Sequence, residues 1–304
     1  MSYKFEKNPP LPIDSESYRQ KVMRDFQRIL KENGDNEKIF QDFFEQNPSL
    51  VPGSKSEFEM YGSGHGPLFS SLITQPKIEG LKERIPDFLW LSYDSVCFCP
   101  VFIEIEAPNK KYFNQDGSFT SDFNKAREQL IEWKTILGKP LNIEKFKSDF
   151  NIPREESELY FDPYFVLIYG RREEFENNRW KRDKRSQIMG DNRLILMSYD
   201  RIEPKYLNKN YLCCEVKSGD YYAKYLTPTF KVGPYSYDLL KINNIENAIK
   251  NMVYTSEERK RFLLERIPYW INYIKNEGDN DDGTDDDLIS FDNSKLDELM
   301  KTEE

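Results

Sequence analysis

The sequence predicts an α/β chain: a mixed central sheet flanked by helices, then a smaller C-terminal α+β extension and a disordered acidic tail. Three observations lead there. Apolar residues recur at helical spacing over residues 15–32 and 121–137. Between those helices stand two strand-like runs joined by a short turn, PDFLWLSY at 86–93 and VCFCPVFIEIE at 96–106. Two more β-rich runs follow at 164–169 and 194–197. The order helix–hairpin–helix–strand–strand is that of an α/β or α+β sheet with helices packed on it.

The elements follow in order. Residues 1–14 are proline-rich and read as an extended arm. The first helix places Tyr18, Val22, Phe26, Ile29 and Leu30 on one side and stops at Asn33-Gly34. A second, Glu37 to Gln46, turns Phe40, Phe43 and Phe44 inward and ends at Asn47-Pro48. Residues 52–67 form a glycine-rich loop. It is not a phosphate-cradling loop, because no Gly-Lys-Ser/Thr opens a helix behind it. In the run 96–106, alternation puts Phe102, Glu104 and Glu106 on one face, and Pro100 marks an edge or a bulge. A polar loop, 107–120, leads to a helix capped by Thr120 or Ser121 and stopped by Gly138 and Pro140. Its apolar stripe is Phe123, Ala126, Leu130, Trp133 and Leu137. Beyond about 206 come strand-like fragments at 211–216 and 221–226. A capping box, Thr255-Ser-Glu-Glu258, then opens a helix towards Trp270 and Ile274, kinked at Pro268. The chain thus divides into an arm (1–14), a main domain (15–205), an extension (206–275) and a tail (276–304).

Composition narrows the function. The run of about 18 apolar residues that a membrane helix needs is missing, and MSYKFEKNPP has no apolar h-region of a secretory signal. The four cysteines, Cys97, Cys99, Cys213 and Cys214, lack zinc-ligand spacing and read as reduced core thiols. A cytoplasmic location is the expectation. The net charge of −9 is uneven. Residues 277–304 hold twelve acids and two lysines, so the rest of the chain is close to neutral. That body carries a basic run: Arg171, Arg172, Arg179, Lys181, Arg182, Lys184 and Arg185. Clustered Arg and Lys suit a phosphate backbone, although a solvated helical face has the same composition.

The chemistry-bearing text is Arg84-Ile-Pro-Asp87, sixteen residues, then Glu104-Ile-Glu106. A hairpin of that length brings Asp87 beside Glu104 at one end of two paired strands. Convergent carboxylates with oxygen-only ligands suit Mg²⁺ or Mn²⁺, and such an ion activates water and stabilises phosphoryl charge. Lys125, Gln129 and Trp133 form a stripe beside the buried face of the following helix, so Lys125 and Gln129 are within reach of the same site. His65 is the sole histidine, which excludes a His-pair metal site. Ser/His/Asp catalysis would have to use His65, and no Gly-x-Ser-x-Gly elbow accompanies it. Paired carboxylates also serve glycoside hydrolysis, but the basic run argues for phosphates instead.

Several pieces occur together in order: Glu37-Lys-Ile-Phe-Gln41, Phe44-Glu-Gln-Asn-Pro-Ser-Leu-Val51, Pro86-Asp87-Phe88, Phe102-Ile-Glu104-Ile-Glu106-Ala-Pro108, Ala126-x-x-Gln129-x-x-x-Trp133, Ile168-Tyr-Gly-Arg171 and Leu196-Met-Ser-Tyr-Asp200-Arg-Ile202. From about Glu37 to Ile202 the chain resembles the Shedu-type immune nucleases, a bacterial anti-phage family in the PD-(D/E)XK superfamily. The resemblance implies a restriction-endonuclease-like fold and a homo-oligomer that hydrolyses DNA with Mg²⁺ or Mn²⁺. It implies Asp87 and Glu104 as metal ligands, Glu37 as an acid facing the metal, and Gln129 as part of a supporting helix motif. One departure stands out. Glu106 occupies the place of the superfamily's lysine, where a carboxylate would bind a second metal or act as base. Lys110, Lys111 or Lys125 would then supply a migrated cation. The alternative is a catalytically inactive module that holds nucleic acid or a partner protein.

Overall fold

The structure is a computed structural model that describes residues 4, 6–55, 65–78, 85–188 and 193–278. Arg84, much of the glycine-rich loop and the acidic tail after Gly278 lie outside the described residues. Two helices come first, α1 (Ser15–Glu32) and α2 (Glu37–Gln46). Strands β1 (Gly66–Thr74), β2 (Phe88–Tyr93) and β3 (Cys97–Ile105) follow. Then come α3 (Ser121–Leu137), α4 (Pro140–Asp149), the short α5 (Arg154–Ser157), β4 (Tyr160–Phe161) and β5 (Tyr164–Ile168). The basic run forms α6 (Arg179–Gln187), ahead of β6 (Leu194–Met197). The last elements are β7 (Leu212–Lys217), β8 (Asp220–Leu226), β9 (Ile242–Asn243), α7 (Ile245–Asn251) and α8 (Glu257–Gly278).

The strands make one mixed sheet in the order β6-β5-β3-β2-β1-β7-β8-β9, with β4 paired to β3. Strands β1, β3, β5, β6 and β7 run parallel, and β2 is antiparallel to both its neighbours. The sheet therefore has one end where five parallel strands finish. Residues after 206 continue the same sheet, because β7 pairs with β1 through Leu72 and Cys213.

Alternation sorts β3 cleanly. Cys97, Cys99, Val101, Ile103 and Ile105 face α1 and α2, while Phe98 and Phe102 face α3 and α4. The first layer is aromatic: Phe26, Phe40, Phe44 and Tyr199 lie with ring centroids 5.1–6.5 Å apart, all fully buried. Each such side chain contributes about 1.5–3 kcal/mol by leaving water. On the opposite face, Phe123, Leu130 and Trp133 of α3 join Leu263, Ile267 and Trp270 of α8 in one core. All four cysteines are buried and unbridged.

Three details depart from the sequence reading. Strand β1 takes in the last two residues of the expected glycine-rich loop and continues through 68–74, where no element was expected. Phe69 and Ser70 take positive φ (52° and 49°), and the pairing with β2 shifts register between Pro67 and Leu72. That bulge destroys the alternation by which a strand is recognised. The cap of α8 is Ser256, whose hydroxyl accepts from the Arg259 amide, whereas Thr255 donates to the Val253 carbonyl. Gly138 and Pro140 end α3 as expected, but Pro140 also opens a helix that was not expected, α4, at the position where a proline costs no hydrogen bond.

Gly170 closes β5 at φ +59°, and a Cβ there would lie 2.7 Å from the Tyr112 ring and 3.0 Å from the Lys110 carbonyl. Both strain and overlap follow from a side chain, so Gly170→Ala is expected to cost about 1–3 kcal/mol. Urea unfolding checks it: an unchanged midpoint would show that the 110–112 segment yields freely.

Candidate active site

The β2–β3 register builds the site. Phe88 lies opposite Ile103, so the next pair towards the parallel-strand end is Asp87 and Glu104. The Ile105 amide donates to Asp87 Oδ2 at 2.8 Å, and the Asp87 carbonyl accepts from the Gln75 amide at 2.8 Å. Glu104 faces α3, where Gln129 Nε2 donates to its Oε1 at 2.6 Å. Its other oxygen, Oε2, is buried without a hydrogen-bond partner.

Two further carboxylates enter from the other side. The Asn33-Gly34 turn packs against the chain leaving β3, and the Asn109 amide donates to the Gly34 carbonyl at 2.9 Å. This sets the first residue of α2, Glu37, against Glu106. Glu106 lies just past β3, held by its amide on the Ile168 carbonyl (3.0 Å) and its carbonyl on the Tyr199 hydroxyl (2.7 Å). Lys110 donates to the Glu106 carboxylate.

Three of the acids, Glu37, Asp87 and Glu104, are pushed up where they meet. Burial raises the Asp87 pKa to about 8; Glu37 and Glu106 add to it, against the Ile105 amide. Glu104 is pushed well above the carboxylate range by burial, then by Asp87, Glu106 and Glu37, with the Gln129 bond opposing. Glu37 is raised by burial and by Glu106, with Lys110 opposing. Burial works against the Lys110 charge, yet the bond to Glu106 and the two acids outweigh it and raise its pKa. Such mutual elevation marks a site short of positive charge.

The donor set is chemically that of a hard divalent cation: oxygen only, with one oxygen of Glu104 unpaired. The side chains as placed do not close on one. Among the described residues, no three His, Cys, Asp or Glu side chains are grouped to hold an ion. Lys110 closed on Glu106 is a visible reason, since it draws that carboxylate into an ion pair.

The remaining expected residues separate. Lys125 is exposed on α3, and among the described residues no hydrogen bond or ion pair ties it to the acids. Lys111 lies 3.7 Å from Glu173 instead. In the basic run, Arg171 grips Asp200 through Nε (3.0 and 3.1 Å) and Nη2 (2.7 Å). Arg185 donates to the Leu196 carbonyl and Lys184 to that of Gly117. Arg172, Arg179 and Arg182 are exposed, with Lys181 half-buried above Phe113. His65 stacks on Tyr93, away from the acids.

The sequence reading missed a neighbouring network. Gln41 donates to Thr74 (2.9 Å), Thr74 to Glu45 (2.6 Å), and Lys224 to Glu45 (2.8 Å). Glu37, Gln41 and Glu45 recur every four residues on a helix otherwise rich in Phe. That polar stripe was the available signal. Beside it a cleft of about 940 Å³ opens at the same sheet end, lined by Thr74, Gln75, Lys77, Ile85, Asp149 and Lys217 among others. None of the four acids lines it.

With this geometry in hand, comparison with known proteins is decisive on kinship. The family model described as "Shedu protein SduA, C-terminal" matches residues 34–202, more than half of the chain. The chain belongs to that Shedu family. The match begins at the glycine that docks on Asn109 and ends at Ile202, just after the Tyr199–Arg201 turn, so it contains all four acids and Gln129. Among curated proteins nothing matches. No helix among the described residues is long and apolar enough to cross a membrane.

A folded Asp87 that titrates near 8 instead of near 4 binds a proton the unfolded chain releases. Its contribution to stability is therefore complete below about pH 4 and is lost as pH rises through about 8. Asp87→Asn keeps the acceptor for Ile105 and removes the charge. In chelator it should raise the melting temperature by about 2–4 °C or more at pH 8.5, and by less at pH 5. Equal shifts at both pH values would show that Asp87 is not held against repulsion.

Proposed function

We propose that the chain is a metal-dependent DNA endonuclease of bacterial anti-phage defence, on a restriction-endonuclease-like sheet, acting as a homo-oligomer. The observation that carries this is the gathering of Glu37, Asp87, Glu104 and Glu106 at the end where the parallel strands finish, three of them pushed up by burial and then by the others' charge. Membership of the Shedu family supplies the defence context.

Asp87 and Glu104, with Glu37 beside them, would hold Mg²⁺ or Mn²⁺. The ion, when bound, lowers the pKa of a coordinated water and offsets charge on the scissile phosphate. The protein's own groups do the rest. The Ile105 amide and Gln129 orient Asp87 and Glu104 from either side, which a ligand carboxylate requires. Lys110, on Glu106, is the cation nearest the acids and takes the part that the superfamily gives to its lysine. The exposed Arg172, Arg179 and Arg182 would contact phosphates without reading bases.

A second reading has one observation in its favour: the acids do not form a ready cage, and Lys110 already neutralises Glu106. In that reading the domain binds DNA or a protein partner without cutting. Incubation of plasmid with purified protein in Mg²⁺ against EDTA separates the two. Cleavage is expected only with Mg²⁺, and Asp87→Asn and Glu104→Gln should each reduce it by about a hundredfold or more with the fold intact. Full activity in either folded variant would end the site assignment, and no cleavage by the wild type under any divalent ion would leave the binding module.

Glu106 and Lys110 can be tested as a pair. Lys110→Met should lower the cleavage rate by about tenfold or more while leaving circular dichroism unchanged. Unaltered turnover would place that cation outside the chemistry.

A further inference from the structure

Helix α6 has no buried residue, although it carries Trp180 among Arg179, Lys181, Arg182, Lys184 and Arg185. Trp180 is 55 % exposed, whereas the other three tryptophans of the chain, Trp90, Trp133 and Trp270, are fully buried. A single exposed aromatic is ordinary on a protein surface, but this one has five cations on its own short helix.

The ring is open yet not loose. Its edge rests on Gly117, where a Cβ would come within 2.6 Å of it. Phe113 lies 6.3 Å away, and Phe113 and Phe119 stack at 5.0 Å. Lys184 sits 4.8 Å over both the Trp180 and the Phe119 rings while donating to the Gly117 carbonyl. Lys181 lies 5.3 Å over Phe113. The loop beneath is pinned by Glu174, whose two oxygens accept from the Tyr112 and Phe113 amides at 2.8 and 2.9 Å. This same loop leaves β3 at Glu106, so the platform and the acids share one short stretch of chain.

Duplex DNA hides its base faces, and a phosphate backbone needs only the cations. A fixed, half-open indole flanked by cations fits a base that is unpaired, stacked on the ring while its neighbouring phosphates meet Arg179 and Arg182. We propose that Trp180 is a stacking platform for single-stranded DNA, beside the site of the nuclease reading on which this inference rests.

The chain provides its own reporter, since Trp180 is the tryptophan that a solvent-borne base can reach. Protein in EDTA is titrated with oligothymidylate of about 16 nucleotides, and separately with a blunt duplex of similar length. Emission of the wild type should be quenched by the single strand, with the effect absent from Trp180→Ala. Affinity for the single strand should fall about tenfold in Trp180→Ala and much less in Trp180→Phe, with duplex affinity altered less than about twofold. Absence of quenching in the wild type overturns the proposal, whatever the variants do, and so does an equal loss for single strand and duplex. Because the titration needs no divalent ion and no turnover, an inactive domain can still pass it, and an active nuclease can fail it.

Discussion

The carboxylate end of the molecule depends on one register, that of β2 against β3. With Phe88 opposite Ile103, Asp87 falls beside Glu104, whose side chain leaves the sheet towards α3. A slip of one residue would send Phe102 to the opposite face and carry Glu104 into the aromatic layer under α1 and α2. The register is fixed from both faces at once. Trp90 and Val101 are completely buried on one side, Leu89 and Phe102 on the other, so every alternative pairing exposes large apolar surface. Packing free energy thus holds like charges together that would separate if left to themselves.

Helix α2 shows two solutions to buried charge within ten residues. At its far end Glu45, nearly inaccessible, is met by Lys224, Thr74 and Gln41, and its charge is answered in full by the protein. At its start Glu37 faces Glu106, and the single ammonium of Lys110 serves both. The first arrangement stabilises a helix on a sheet. The second leaves a deficit that an external cation can fill, which is the electrostatic form of a binding site. Glu45 is the deeper of the two, and the count of answering charges is what sets them apart chemically.

Much of this was legible beforehand. Helices α1, α2 and α3 stop where glycine, asparagine and proline signals place them, and α3 starts at its Thr120 cap, because those signals act over three or four residues of local backbone. The hairpin was readable from turn spacing and alternation, and with it the meeting of Asp87 and Glu104. What could not be read depends on contacts distant in sequence. Lys125 shares the helix of Gln129 yet remains in solvent, whereas Lys110 reaches Glu106 because a turn after β3 docks on Gly34. Arg171 looks like its neighbours in a basic run, but Asp200, from the far side of β6, claims the Nε–Nη2 edge of its guanidinium. Charge in a sequence gives no account of which charges are already answered in space.

The four thiols have a consequence of their own. Cys97 and Cys99 lie under the α1–α2 layer, and Cys214 lies under the α7–α8 layer with Cys213 beside it on β7. Burial raises Cys99 and Cys214 to about 12, and Cys97 and Cys213 upward as well, so almost no thiolate exists in the closed molecule at physiological pH. Alkylating agents and peroxides react with thiolate. The folded chain is therefore chemically silent towards them, and modification must wait for a layer to lift. Cys97 and Cys99 become a clock for the α1–α2 side of the sheet and Cys214 for the opposite side, so the rates at which they acquire label measure how often each helical layer opens.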